Sequence, residues 1–454
     1  MKKRISLLLV ICMMLTVLVG CGSGNKTSEA PAANAPAVET PAEQGKVVNI
    51  YAWNEEFKGL YETYAADLAE KHGVTVNFVI VANTDNAYQN NLDSTLMAQA
   101  DAAADDRIDI FLVEADYAAK YTKTPYTLDV MADIGLTAED LSQQYQYTKD
   151  IVSFDGVQKA VSWQATPGLF AYRRSIAKDV LGTDDPVEVQ AALSDWEKFD
   201  AVAAAAKEKG YFMLSGYDDS YRTFSNNMNG PWVQDGKIVM DPAIEQWIEQ
   251  TMEYTEKGYN NKTSLWAAEW SADQGPAGKV FGFFYSTWGI NFTLLGNSLA
   301  DANGAHEVGN GIFGDYAVCE GPQAYYWGGS WLCAAAGTDN VDFIRDLMIR
   351  MTCDAETMQK ITEDTQDYTN NMAAMEKLAN SDYASAFLGG QNHIALFAEA
   401  AKKIDMKNIC DYDQGLNESI QQCMHEYFEG IVDLETAYKN FYSAAVVKYP
   451  ELTY

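Results

Sequence analysis

Residues 325–331 read YYWGGSW, four aromatic rings around a Gly-Gly pair, and run on into the small-residue stretch CAAAG. Glycines beside rings let the backbone bend and let another group come close, which a plain core strand does not need. The stretch therefore offers a flat aromatic platform, with core packing as the competing reading because Tyr and Trp bury large areas. Other rings stand where apolar runs end: Trp53 closes VVNIYAW, Trp288 closes GKVFGFFYSTW, Trp163 sits in KAVSWQATPG, and Trp327 and Trp331 belong to the Gly-Gly stretch. Trp232 lies in NGPW. The polar candidates are Asn54 after Trp53, Glu114 near the end of RIDIFLVEA, Asp367 in EDTQDYTNN, and Gln391-Asn392 in GGQN. Asn54 and Glu114 each have helix capping as the alternative. Trp247 sits at helical packing spacing and reads as core, and core is also the favoured reading for Trp196, Trp266 and Trp270.

Catalytic patterns are missing. The chain has no GxSxG elbow, no HExxH and no Walker loop, and His72, His306, His393 and His425 are scattered without ligand spacing. Among 64 Asp plus Glu, a carboxylate pair suited to glycoside hydrolysis can always be found, so such a pair carries no information. The expectation is a protein that binds rather than reacts, without cofactor or metal. Beyond residue 45 the cysteines are Cys319, Cys333, Cys353, Cys410 and Cys423, an odd number without CxxC spacing. At least one thiol is then free, which argues against a disulfide framework and a zinc site, with a Cys410–Cys423 pair as an alternative.

The elements that hold these residues follow from hydrophobic periodicity. VVNIYAW reads as a buried strand, and NEEFKGLYETYAADLAEKHG as one helix with Gly73 as its stop. VTVNFVIV, a helix from Asp85 to Ala103, and RIDIFLVEA complete a β-α-β-α-β order. Continuous apolar strands separated by amphipathic helices predict an α/β fold with a parallel sheet covered on both faces. Ligands of such sheets bind beyond the carboxyl ends of the strands, where Trp53, Asn54 and Glu114 are delivered. Segments 159–177, 194–210 and 278–288 repeat the style and predict a second α/β lobe, and 342–377 and 392–454 are mostly helical. The body, residues 46–454, is too long for one comfortable core.

The N-terminus speaks to location. Met1-Lys2-Lys3-Arg4 and the apolar Ile5–Gly20 form a signal peptide, residues 1–20, too short for a comfortable membrane span. Leu18-Val19-Gly20-Cys21 has the form of a bacterial lipobox, so Cys21 is expected to carry lipid. Residues 22–45 are rich in Gly, Ser, Ala, Pro and Glu without an aromatic residue, and 21–45 reads as a lipidated disordered tether. It would reach about 27 Å as a coil and about 80 Å when stretched. Without Lys2, Lys3 and Arg4 the chain keeps 29 Lys plus Arg against 64 Asp plus Glu, a net charge near −35. Such a field repels nucleic acid.

In order, these segments resemble the family 1 extracellular solute-binding proteins of ABC importers, in the branch that takes sugars, similar in plan to maltodextrin-binding protein. The resemblance covers nearly the whole chain. It rests on the lipobox and tether, VNIYAW before a helix, DIFLVEADYAAKY, AYRRSIAKDVLG before LSDWEKFDAVAAAAKEKG, GKVFGFFYSTWG, the Gly-Gly stretch and FLGGQNHIALFAEAAKKI. Each motif alone is weak, and their order is specific.

The resemblance implies a two-lobe, hinge-connected periplasmic-binding-protein-like fold with the ligand cleft between the lobes. The N-terminal lobe is expected to hold residues 46–160 and 328–388, and the C-terminal lobe 161–327 and 389–454. Crossings are expected near 159–166, 323–330 and 388–393, and Trp288 is the ring the family turns to its ligand. A pyranose has a C–H face that indoles attract and a hydroxyl edge that Asn, Asp, Glu and Gln hold, so rings with few charges suit a sugar or oligosaccharide. The further implications are a monomer on the outer face of a bacterial membrane, held by lipid, closing on its solute and delivering it to an ABC permease. The cleft positions depart from those of maltodextrin-binding protein, so its sugar is not carried over. A peptide-binding relative and a surface adhesin lipoprotein remain as alternatives.

Overall fold

The computed structural model describes residues 45–454. The expected signal peptide, the lipidated Cys21 and all of the tether but its last residue lie outside them.

The first lobe is built on a five-stranded sheet in the order Thr75–Ile80, Val47–Ala52, Ile108–Glu114, Ser330–Ala334, Ala160–Ser162. Its first three strands are parallel, as the β-α-β-α-β pattern requires. Ser330–Ala334 runs antiparallel to both of its neighbours, so the sheet is mixed where an all-parallel one was expected. The physical reason is the route of the chain: this strand arrives from the other lobe and not through a helical crossover, and only such a crossover enforces parallel pairing. Ile108–Val113 is buried at every position, and Ile50, Phe111, Val113 and Leu332 share one core.

The helix expected over residues 54–73 is two, Glu56–Tyr64 and Asp67–His72, separated by Ala65 at φ −140°. Arg350 accounts for the break by donating to the Tyr64 carbonyl at 3.0 Å, taking up a group the first helix leaves free at its end. Gly73 then stops the second helix in the left-handed region at φ +65°.

The second lobe centres on Gly168–Arg173, flanked on both sides by antiparallel strands, Gly282–Ser286 and Tyr316–Cys319. Phe170, Phe199 and Phe284 pack one core there, and Trp247, Leu416 and Phe441 another. The C-terminal helices Asp413–Phe428 and Leu434–Lys448 pack on each other, and the first also on Pro242–Lys257. Helix His393–Ala401 packs on Met372–Ala379 and also on strand Gly168–Arg173, so it belongs to the seam as much as to either lobe. Among the described residues all five cysteines are free, Cys410 and Cys423 included. No helix among them is long and apolar enough to cross a membrane.

Candidate binding cleft

Two chain segments pass from one sheet to the other: residues 163–167 lead from Ala160–Ser162 to Gly168–Arg173, and residues 320–329 lead from Tyr316–Cys319 back to Ser330–Ala334. They are laced together, Thr166 donating its hydroxyl to the Gly328 carbonyl at 2.7 Å and Trp327 its N–H to the Thr166 carbonyl at 3.1 Å. The Gly-Gly pair is what this seam requires. Gly328 and Gly329 hold φ of +75° and +106°, which other residues adopt only under strain. A Cβ on Gly328 would stand 3.0 Å from the Trp288 indole nitrogen, and one on Gly329 3.2 Å from the Trp331 ring. The pair therefore lets two tryptophans close on the backbone from different directions.

Trp288 donates its Nε1 hydrogen to the Trp327 carbonyl at 3.0 Å, and the two rings meet edge to face with centroids 5.3 Å apart. Trp266 lies nearly parallel to Trp288 at 6.2 Å, 19° between planes, and 5.9 Å from Trp327. Phe292 adds an edge at 6.3 Å. These rings are not a core, because Trp266 is 52% and Phe292 78% exposed. Two features of the chain hold them out. Trp266 sits at φ +67°, a costly conformation for an aromatic residue and one that clusters at functional sites. After Trp288 the helix widens to a π turn over Ile290–Leu295, which carries Phe292.

Beside the rings runs a polar wall. Gln164, on the first linking segment, donates from its side-chain nitrogen to Glu56 at 2.7 Å and to Asp367 at 3.0 Å. Glu56 keeps solvent contact although protein surrounds it, the combination expected on the wall of a cleft. That enclosure, with the neighbouring Asp367 charge, pushes its carboxyl up to about 8 against the Gln164 hydrogen bond. Burial raises Asp367 too, opposed by contacts from Thr287, its neighbour Tyr368 and Gln164. Further along, burial and the nearby Asp116 raise Glu114, against the pull of Arg222. Arg222, on the short helix Tyr221–Ser225 of the second lobe, grips both oxygens of Asp116 at 2.7 and 2.5 Å and so bridges the lobes. Tyr326 packs next to this pair, its N–H held by Asn226 at 2.7 Å.

Of the residues expected from sequence, Trp288, Trp327 and Asp367 are brought to one stretch of wall. Trp53 is half-buried at the end of its strand, edge-on to Tyr88 at 5.7 Å and Tyr117 at 6.3 Å. Glu114 accepts from the Asp116 N–H at 2.7 Å and so carries out the capping alternative, still beside the Asp116–Arg222 bridge, whereas Asn54 accepts from the Glu56 N–H at 3.1 Å from one residue outside the N-cap, which is Glu55.

Three tryptophans expected at the ligand have no free face. Trp163 is 1% exposed and lies on Phe57 at 4.9 Å; Trp331 is in the sheet core with its Nε1 donating to the Thr148 carbonyl; Trp232 is buried against Phe441 and donates to Asn417. In each case the ring fills space behind the wall. Gln391 closes on the Val318 backbone with two hydrogen bonds, and Asn392 caps helix His393–Ala401. Sequence reasoning put Trp266 in the core and passed over Glu56, Gln164 and Arg222. An exposed Trp in a left-handed turn leaves no periodic signal, and the other three are ordinary polar residues until the two lobes meet.

In fold, the chain is similar to a structure described as an extracellular solute-binding protein of family 1, with TM-score 0.74 and 16% identity over 89% of this chain and 100% of that one. It is also similar to the galacto-N-biose/lacto-N-biose I-binding protein of an ABC transporter from Bifidobacterium longum, in complex with lacto-N-biose (TM-score 0.67, 12% identity, 90% of this chain and 100% of that one). A third likeness is the ABC-transporter-associated binding protein from B. animalis subsp. lactis Bl-04, in complex with beta-1,6-galactobiose (TM-score 0.65, 17% identity, 90% and 99%). Among curated proteins none matches the chain. The family described as bacterial extracellular solute-binding protein matches residues 63–400. With most of the chain matched and a cleft walled by two lobes, this protein belongs to the bacterial extracellular solute-binding proteins.

Proposed function

We propose that the protein is the solute-capturing component of an ABC importer, tethered to the outer face of the membrane through lipid on Cys21, and that its solute is a sugar or oligosaccharide. The observation that carries this reading is the Trp266–Trp288–Trp327 group, three indoles held partly open to solvent beside Glu56, Gln164 and Asp367. Open indole faces suit the C–H face of a pyranose, and the polar row suits its hydroxyl edge. The relatives bound to lacto-N-biose and beta-1,6-galactobiose support the same class of solute. Capture works by closure: a ligand touching both lobes favours the state in which they approach, in proportion to its differential affinity for that state. The closed monomer then delivers its cargo to a permease. Small-angle scattering of residues 46–454 with a panel of disaccharides tests this. The radius of gyration should fall with a binding sugar and stay fixed with the others. A radius fixed for every sugar but reduced by peptides would replace the sugar by a peptide.

A further inference from the structure

The stretch of cleft wall next to the rings is unbalanced in its charges. Glu56 and Asp367 share the two N–H groups of one amide, Gln164, and neither is in an ion pair among the described residues. Thr287, the fully buried residue directly before Trp288, turns its hydroxyl to the Asp367 carboxylate, yet that hydroxyl has no partner at hydrogen-bonding distance and angle. Two carboxyl groups thus meet with no cation between them among the described residues, held by the Gln164 amide and, on Asp367, by the Tyr368 N–H at 2.8 Å, with the Thr287 hydroxyl turned to the same carboxyl as a further donor.

A sugar hydroxyl carries no charge, so it leaves such a pair of acids without a counter-charge. An ammonium carries three donors, no acceptor and a positive charge. Hydrogen bonds from an ammonium to a carboxylate are about twice as strong as neutral ones. The adjoining indoles favour the same ligand, because a cation near an aromatic face is attracted by it. Resting on the sugar reading above, we infer that this part of the cleft selects an amine-bearing sugar, a hexosamine or an oligosaccharide containing one, with the ammonium placed between Glu56 and Asp367.

Calorimetric titration of the full soluble body with matched pairs tests it: glucosamine against glucose, galactosamine against galactose, and the β-1,4-linked glucosamine disaccharide against cellobiose. At least one amine should bind about tenfold or more tighter than its hydroxyl twin. Asp367→Asn should bring that pair within about threefold by weakening the amine alone, and Glu56→Gln provides the same readout should Asp367→Asn fail to fold. Hydroxyl sugars binding as well as their amines would overturn this inference and leave the sugar reading standing. Silence from all six sugars would overturn the inference, and a response to spermidine in that case would overturn the sugar reading with it.

Discussion

Trp288 and Trp163 both stand at the end of an apolar run, and their surroundings give them opposite duties. The Trp288 indole is hung from the Trp327 carbonyl, with Gly328 leaving room for its edge, and it stays half-buried against Trp266. Trp163 is enclosed and lies tilted against Phe57. Truncating Trp163 to Ala should therefore cost about 3–5 kcal/mol in urea unfolding, as buried aromatic truncations do. Trp288→Ala should cost well under half of that, because its ring is only partly removed from water. Equal losses would mean that the two rings do the same job. Gly328→Ala should destabilise by about 1–3 kcal/mol, since the new Cβ must share a left-handed backbone with the Trp288 indole. A neutral Gly328→Ala would show that the Trp288 edge does not need the glycine.

At the level of elements, the strands and the β-α-β-α-β order were legible because continuous apolar runs and helical spacing are local signals. Strands Val47–Ala52, Thr75–Ile80 and Ile108–Glu114 fall where VVNIYAW, VTVNFVIV and RIDIFLVEA placed them. The break at Ala65 and the antiparallel Ser330–Ala334 were not legible, since one depends on Arg350 far along the chain and the other on a strand entering from the second lobe. The same limit applied to the cleft. Rings at strand ends could be picked out, but whether a ring faces solvent or core is set by the segment folded over it, as Thr148 does for Trp331 and Asn417 for Trp232. The Asp116–Arg222 bridge likewise joins elements distant in sequence, with both side chains less than a fifth exposed. Arg222→Met should cost about 3–5 kcal/mol, because it leaves the Asp116 charge largely buried without a partner. Adding Asp116→Asn should restore part of that stability. A double variant no better than the single one would show that the charge is not what is costly.

The whole molecule carries a charge of −32 and several enclosed carboxyls. Burial first, then neighbouring charges, pushes Asp413 to about 7, and Asp109 and Asp219 to about 6. A carboxyl whose pKa is raised by folding binds more protons folded than unfolded, so its contribution falls as pH rises from about 4 through its folded value. Buried His393 acts in the other sense: lowered to about 4, it costs stability as pH falls below about 6.5. Three carboxyls outweigh one histidine, and reduced self-repulsion adds in the same direction. The melting temperature should thus be higher at about pH 5.5 than at about pH 8. A higher value at the alkaline end would mean that these carboxyls are solvated. The central claim, that the open indoles form a solute platform between the lobes, is tested most directly by calorimetric titration of residues 46–454 with a mono- and oligosaccharide panel, wild type beside Trp288→Ala. The expected result is one-to-one binding of one glycan class, weakened at least about a hundredfold in the variant, a loss of roughly 2.8 kcal/mol. Wild-type affinity retained in a folded Trp288→Ala protein would contradict it and return YYWGGSW to the core.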